Sequence, residues 1–226
     1  MVRRMDLRMS IACRIVSQII ERKQTAIVKS VRRIDVEVAR RFIADPNSVK
    51  LSEYNELEAD AAEILAGYQW RLTLDGLTDL RVEVAEALAG HKGGRLYLDG
   101  LTDLSVEVAE ALAGHKGKSL VLDGLTDLRV EVAEALAGHN GESLSLDGLT
   151  DLSVEVAEAL AKHEGILLLD GLTELKMEVA EALVKHEGGL SLYGLTELDA
   201  SAASFLQAND NIDFPSWLHV DSPSGA

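Results

Sequence analysis

Leu96–Ser119 reads LYLDGLTDLSVEVAEALAGHKGKS, and nearly the same phrase returns before and after it. Its apolar skeleton is L-x-L-x-x-L-x-x-L followed by a helical segment. That skeleton starts at Leu72, Leu96, Leu120, Leu144, Leu167 and Leu190, with spacings of 24, 24, 24, 23 and 23 residues. A fixed period of this length marks stacked supersecondary units rather than an ordinary globular core. Weaker copies extend the array. Val49, Leu51, Tyr54 and Leu57 hold the same four positions upstream, and Ala26, Val28, Val31 and Ile34 hold them once more. Ile11–Arg22 matches the helical half alone, and Ile212, Phe214, Trp217 and Val220 begin a final half unit. The expected organisation is a basic capping helix over residues 1–25, eight strand–helix repeats over 26–211, and a half-repeat cap with a disordered tail over 212–226.

Each unit changes period partway. Leu96-x-Leu98 alternates, as a short strand with both leucines inward does. Gly100 is expected to free a turn that other residues resist, and Leu101 and Leu104 carry the chain across the core. Ser105 is placed to cap a helix whose Val108, Ala109 and Leu112 share one face. Where Arg81, Arg129 or Lys176 replaces that serine, the neighbouring Asp79, Asp127 or Glu174 is the candidate cap. Gly114 is expected to end the helix in the left-handed region, with His115 and Lys116 complementing its negative end.

One such unit cannot bury its own apolar face, but stacked neighbours can. Adjacent parallel strands lie about 4.8 Å apart, whereas helices need roughly twice that spacing. The expected fold class is therefore α/β: a curved, right-handed solenoid with parallel strands on the concave face and short helices on the convex face. Nine strands would span roughly 40 Å along the inner edge.

LYLDGLTDL followed by a short helix resembles the leucine-rich repeat, in particular the short L-x-L-x-G-L-x-x-L-S-x-E-x-A-E-A-L-A repeats of bacterial leucine-rich-repeat proteins. The resemblance covers about residues 26–220. It departs from the common pattern where Leu101, Leu125 and Leu149 stand in place of a laddering asparagine. It implies a horseshoe that binds a protein partner on its concave face.

Composition narrows the function classes. Net charge is −16, which disfavours nucleic acid as a partner of the whole surface. Residues 1–50 carry twelve Lys/Arg against five Asp/Glu, and the remainder carry ten against thirty-three. A basic end on an acidic body suggests a second role, head-to-tail self-assembly. The single cysteine, Cys13, allows no disulfide within the chain and suits a cytoplasmic setting.

Two columns look chemical. Asp75, Asp99, Asp123, Asp147 and Asp170 follow the strands, stacking like charges about 5 Å apart. They read as acceptors for backbone N–H groups of the D-G-L-T turn, or as a strip for a basic partner. Calcium, with its six to eight oxygens, is poorly served by single carboxylates in a row. His91, His115, His139, His163 and His186 recur at helix ends. At roughly 8–10 Å per repeat they are too sparse for a zinc site, and they read as charged partners of the helix dipole. No nucleophile–His–acid constellation stands out, so neither an enzyme nor a cofactor is expected. Variation within near-identity is the better lead. Thr73, Tyr97, Val121, Ser145, Leu168 and Ser191 lie between the strand leucines. Tyr97, Val121 and Leu168 are the candidate apolar anchors of a binding face, flanked by Arg95 and Tyr193, with Asp99, Asp123 and Asp147 beside them.

Overall fold

The computed structural model describes residues 31–198 and 200–215. The expected capping helix, Cys13, most of the basic cluster, the first expected strand and the C-terminal tail lie outside these residues. The elements alternate: β1 (Arg33–Ile34), α1 (Val36–Ala44), β2 (Glu56–Leu57), α2 (Ala59–Ala66), β3 (Leu72–Thr73), α3 (Val82–Ala89), β4 (Arg95–Tyr97) and α4 (Val106–Ala113). Then follow β5 (Ser119–Val121), α5 (Val130–Ala137), β6 (Ser143–Ser145), α6 (Val154–Leu160), β7 (Ile166–Leu168), β8 (Glu174–Leu175) and α7 (Met177–Leu183). The chain ends with β9 (Leu190–Ser191), β10 (Glu197–Leu198), α8 (Ala200–Gln207) and β11 (Ile212–Asp213).

Seven strands form one open parallel sheet in the order β11-β9-β7-β6-β5-β4-β3. Its register is the repeat itself: Leu96 pairs with Leu120, Leu120 with Leu144, and Leu144 with Leu167. Two further parallel pairs, β1-β2 and β8-β10, align Ile34 with Leu57 and Leu175 with Leu198 at the helix entrances. The expected strand at Val49–Leu51 is replaced by a 3-10 turn, Leu51–Glu53. There the D-G turn sequence is missing, and Glu53 and Tyr54 donate to the Lys50 and Leu51 carbonyls instead.

The strand leucines, the cross-core leucines and one helix face merge into a single core. Leu96, Leu98, Leu101, Ala109 and Leu112 are fully buried. Full burial of a leucine side chain contributes about 1.5–3 kcal/mol, and the period delivers four or more per unit. Ser105 and Ser153 do cap α4 and α6, each Oγ accepting from the amide three residues on, Val108 and Val156. The substitute caps do not form. Asp127 accepts from the adjacent Leu128 amide at 2.9 Å instead, and α3, α5 and α7 have no side-chain cap.

Two expectations about glycine fail together: no described glycine has positive φ. Gly114 has φ −71°, and α4 closes by short-range bonds from Gly114 and His115 to Ala111 and Leu112. The same position is Lys162 and Lys185 in later repeats, so the helix end needs no glycine. Gly100 and its counterparts are needed for a different reason. Leu98 to Leu101 is a turn closed by the Leu101 N–H donating to the Leu98 carbonyl at 3.1 Å. A Cβ on Gly100 would strike the carbonyl oxygens of Asp75 and Leu77 in the preceding repeat. The glycine sets how closely repeats approach.

Gly124→Ala should therefore lower stability by about 3 kcal/mol, the top of the usual overpacking range, because rigid backbone at Asp99 and Leu101 stands in the way. Gly94→Ala, whose Cβ would lie 3.9 Å from the Arg71 nitrogen, should be close to neutral. Urea unfolding of the two variants checks the contrast.

Candidate binding surface

The aspartate column builds a continuous ladder. Oδ1 of Asp75 accepts from the Asp99 N–H at 3.4 Å, Asp99 from Asp123 at 3.1 Å, Asp123 from Asp147 at 3.0 Å, and Asp147 from Asp170 at 2.8 Å. The last rung runs from the Tyr193 N–H to Asp170 at 2.8 Å. The bonded amide belongs to the next repeat, not to the aspartate's own D-G-L-T turn as the sequence suggests. Ser145 and Ser191 add hydroxyl donors to Asp123 and Asp170, each at 2.6 Å. These donors answer the like-charge crowding, since bonds to a charged acceptor contribute about 1.5–3 kcal/mol each. Desolvation is not fully offset. Partial burial, with neighbouring carboxylates adding to it, raises the Asp99 and Asp147 carboxyls above the ordinary range. With their oxygens engaged along the ladder, Asp99, Asp123 and Asp147 offer a partner only what the ladder leaves free.

The sheet face away from the helices carries the variable residues. Tyr97 and Leu168 are half-buried, and Arg95 is exposed. Tyr193, in the place of the next aspartate, is 59% exposed. Val121 is only 6% exposed, so it presents little surface as an anchor. Ile166, 47% exposed at the start of β7, presents more. Tyr97 is held from both sides: the Arg71 guanidinium lies 5.7 Å from its ring centroid, and Arg95 Nη1 donates to its hydroxyl at 3.4 Å. The sequence reading passes over Trp70, which is 73% exposed. Its signal was available, since other repeats have Gly94, Lys118, Glu142, Gly165 and Gly188 at that position.

The histidine column differs most from expectation. All five rings are buried, at 0–2% exposure. They stack with centroids 5.6, 5.8, 5.8 and 6.2 Å apart, well inside the helix spacing. They pack against one another inside the array rather than standing out beside the helix ends. His91 Nδ1 meets His115 Nε2 at 3.3 Å, and His91 Nε2 meets the Trp70 carbonyl at 3.0 Å. At the other end His186 Nε2 meets the Gly165 and Gly189 carbonyls at 3.1 and 3.2 Å. Between them, His115 Nδ1 and both nitrogens of His139 lack a hydrogen-bond partner among the described residues. A glycine two positions on makes room for each ring: a Cβ on Gly93, Gly117, Gly141, Gly165 or Gly188 would strike it. Burial, with the neighbouring histidines adding to it, lowers the His115 and His139 imidazoles to about 4. Burial also lowers His91 and His163. Among the described residues no group of three or more His, Cys, Asp or Glu side chains is placed to hold a metal ion.

Of the basic N-terminal end, Arg32, Arg33, Arg40, Arg41 and Lys50 are described, all exposed; Arg32 pairs with Glu53, and Arg33 with Glu56 and Glu58. No helix among the described residues is long and apolar enough to cross a membrane. No protein-family model matches the chain, and no curated protein matches it in sequence. Repeating strand–helix units on a parallel sheet are the architecture of a repeat protein.

The imidazole shifts fix a pH dependence. A group whose folded pKa is depressed supports the fold above its unfolded value, about 6.5 for histidine. That support is lost as pH falls through the folded value. A tenfold change in proton affinity corresponds to about 1.4 kcal/mol, so His115 and His139 together remove several kcal/mol between about pH 6.5 and 4. The raised Asp99 and Asp147 carboxyls act the other way, since their protonation on acidification relieves buried charge. The melting temperature should fall steeply from pH 6.5 to 4, and a His115→Leu/His139→Leu chain should show a flatter profile. Thermal melts across that range measure both.

Proposed function

We propose that the chain is a solenoid of the leucine-rich-repeat kind that binds a protein partner, without catalysis, on the sheet face opposite its helices. The curvature follows from the unequal spacing of strands and helices. It would make this face concave and let several repeats contact one partner. Support for binding comes from one observation above the others: in the central repeats the helix positions stay constant while the sheet positions between the leucines change. The helix positions VEVAEALA are identical in α3, α4 and α5, while the corresponding sheet positions are Thr73, Tyr97 and Val121. Arg95, Tyr97, Ile166, Leu168 and Tyr193 then form a mixed apolar and polar surface suited to partner recognition. A cytoplasmic setting is part of the same proposal, on the cysteine usage alone.

The test is capture of partners from a lysate by the unaltered chain and by a Tyr97→Glu/Ile166→Glu/Tyr193→Glu variant. These positions are exposed or half-buried, so circular dichroism should show the variant folded. Partners held by the native chain should be lost from the variant, because charges placed in an apolar contact patch cost affinity. Equal capture by both chains contradicts the assignment of this face.

A further inference from the structure

One corner of the molecule is charged against the trend of the whole. Beyond residue 51 there are ten Lys and Arg side chains on a strongly acidic body. Five of them pair with carboxylates: Lys118 with Glu142, Arg129 with Asp103, Lys162 with Glu134, Lys176 with Asp151, and Lys185 with Glu158. Of the five without an ion pair among the described residues, four gather at one edge: Arg71, Lys92, Arg95 and Lys116. Arg71, Lys92 and Lys116 line a shallow depression of about 460 Å³, with Trp70 on its wall. Arg95 adjoins it through Gly94. The helix dipole accounts for Lys92 and Lys116, which follow α3 and α4. It does not account for Arg71, which precedes β3, for Arg95, the first residue of β4, or for the indole left 73% exposed.

We infer that this edge docks an acidic polypeptide segment of the partner. The inference deepens the reading of the chain as a partner-binding protein and rests on it. Unpaired cations around an aromatic platform give both halves of such a contact: charge complementarity and an apolar anchor with low ordering cost. Tyr97, gripped by Arg71 and Arg95, joins the edge to the open sheet face, so one segment can run across both. A polynucleotide would meet the same cations, but its dense charge is repelled by the acidic remainder of the surface. A second copy, also at −16, is repelled in the same way. A short carboxylate-bearing segment fits the patch without reaching the rest.

The experiment is fluorescence anisotropy of a labelled Glu-rich peptide titrated with the full chain. Saturable, salt-sensitive binding is expected. It should weaken about tenfold or more in Arg71→Glu/Lys92→Glu/Lys116→Glu and less in the milder Arg71→Gln/Lys92→Gln/Lys116→Gln. Arg81→Gln, at the N-terminus of α3 and outside the depression, should leave peptide binding unchanged. Equal affinity for the peptide with Glu replaced by Gln overturns the inference. So does tighter binding of a single-stranded oligonucleotide, or self-association abolished by the charge reversal. Unchanged binding in a folded reversal variant overturns it too, while leaving the open-face proposal standing. That proposal fails separately, if changes on the face cost no partner capture.

Discussion

Each repeat is completed by the one that follows it. The carboxylate after a strand accepts the amide at the same position in the next repeat, so that one hydrogen bond spans the join each time. The strand amides do the same: Leu98 donates to the Val121 carbonyl, Leu122 to Ser145 and Leu146 to Leu168, each at 3.0 Å. A unit of this size has almost no stability alone, and nearest-neighbour terms dominate in such arrays. The spacing that permits these bonds is set by Gly100, Gly124, Gly148, Gly171 and Gly194, which let one turn sit on the carbonyls of the last. The open sheet face inherits its regularity from that spacing, because its side chains are displayed at strand intervals.

The ladder concentrates charge, and the histidine column concentrates unsatisfied nitrogen. Both run the length of the array in register, at opposite ends of the strands. The aspartates tolerate their crowding because amides and two serine hydroxyls bond to them. Burial favours the neutral form of His91, His115, His139 and His163, and the terminal rings are held by backbone carbonyls at Trp70, Gly165 and Gly189. These polar columns favour one register of stacking. A slip by one residue would place carboxylates and imidazoles against leucine.

The leucine period was legible because burial acts on every copy alike, and six near-identical phrases average out local accident. Ser105 and Ser153 were legible as caps because a cap is a local device, closed within four residues. The aspartate partner was not, since the amide that satisfies it lies 23 or 24 residues away and only the register brings it near. The histidines were misplaced for a related reason. A polar residue after a helix suggests solvent and dipole, yet the glycine two positions later, present in all five copies, marked the space for a buried ring. Tyr97 and Tyr193 were readable as surface from their alternation with leucine, whereas the covering of Val121 depends on neighbours in other repeats. Trp70 broke its column plainly, but a search for sameness passes over what breaks it.

The surface and the stack are thus parts of one construction, in which invariant positions join repeats and variable ones face outward. Amide hydrogen exchange at Asp147, compared among the unaltered chain, Asp123→Asn and Asp123→Ala, tests the ladder most directly. Asparagine keeps the acceptor, so protection at Asp147 should persist in that variant and match the surrounding strands. Alanine removes the acceptor, and protection there should drop locally toward that of an open turn. Fast exchange at Asp147 in the unaltered chain, or undiminished protection in the alanine variant, would contradict the account.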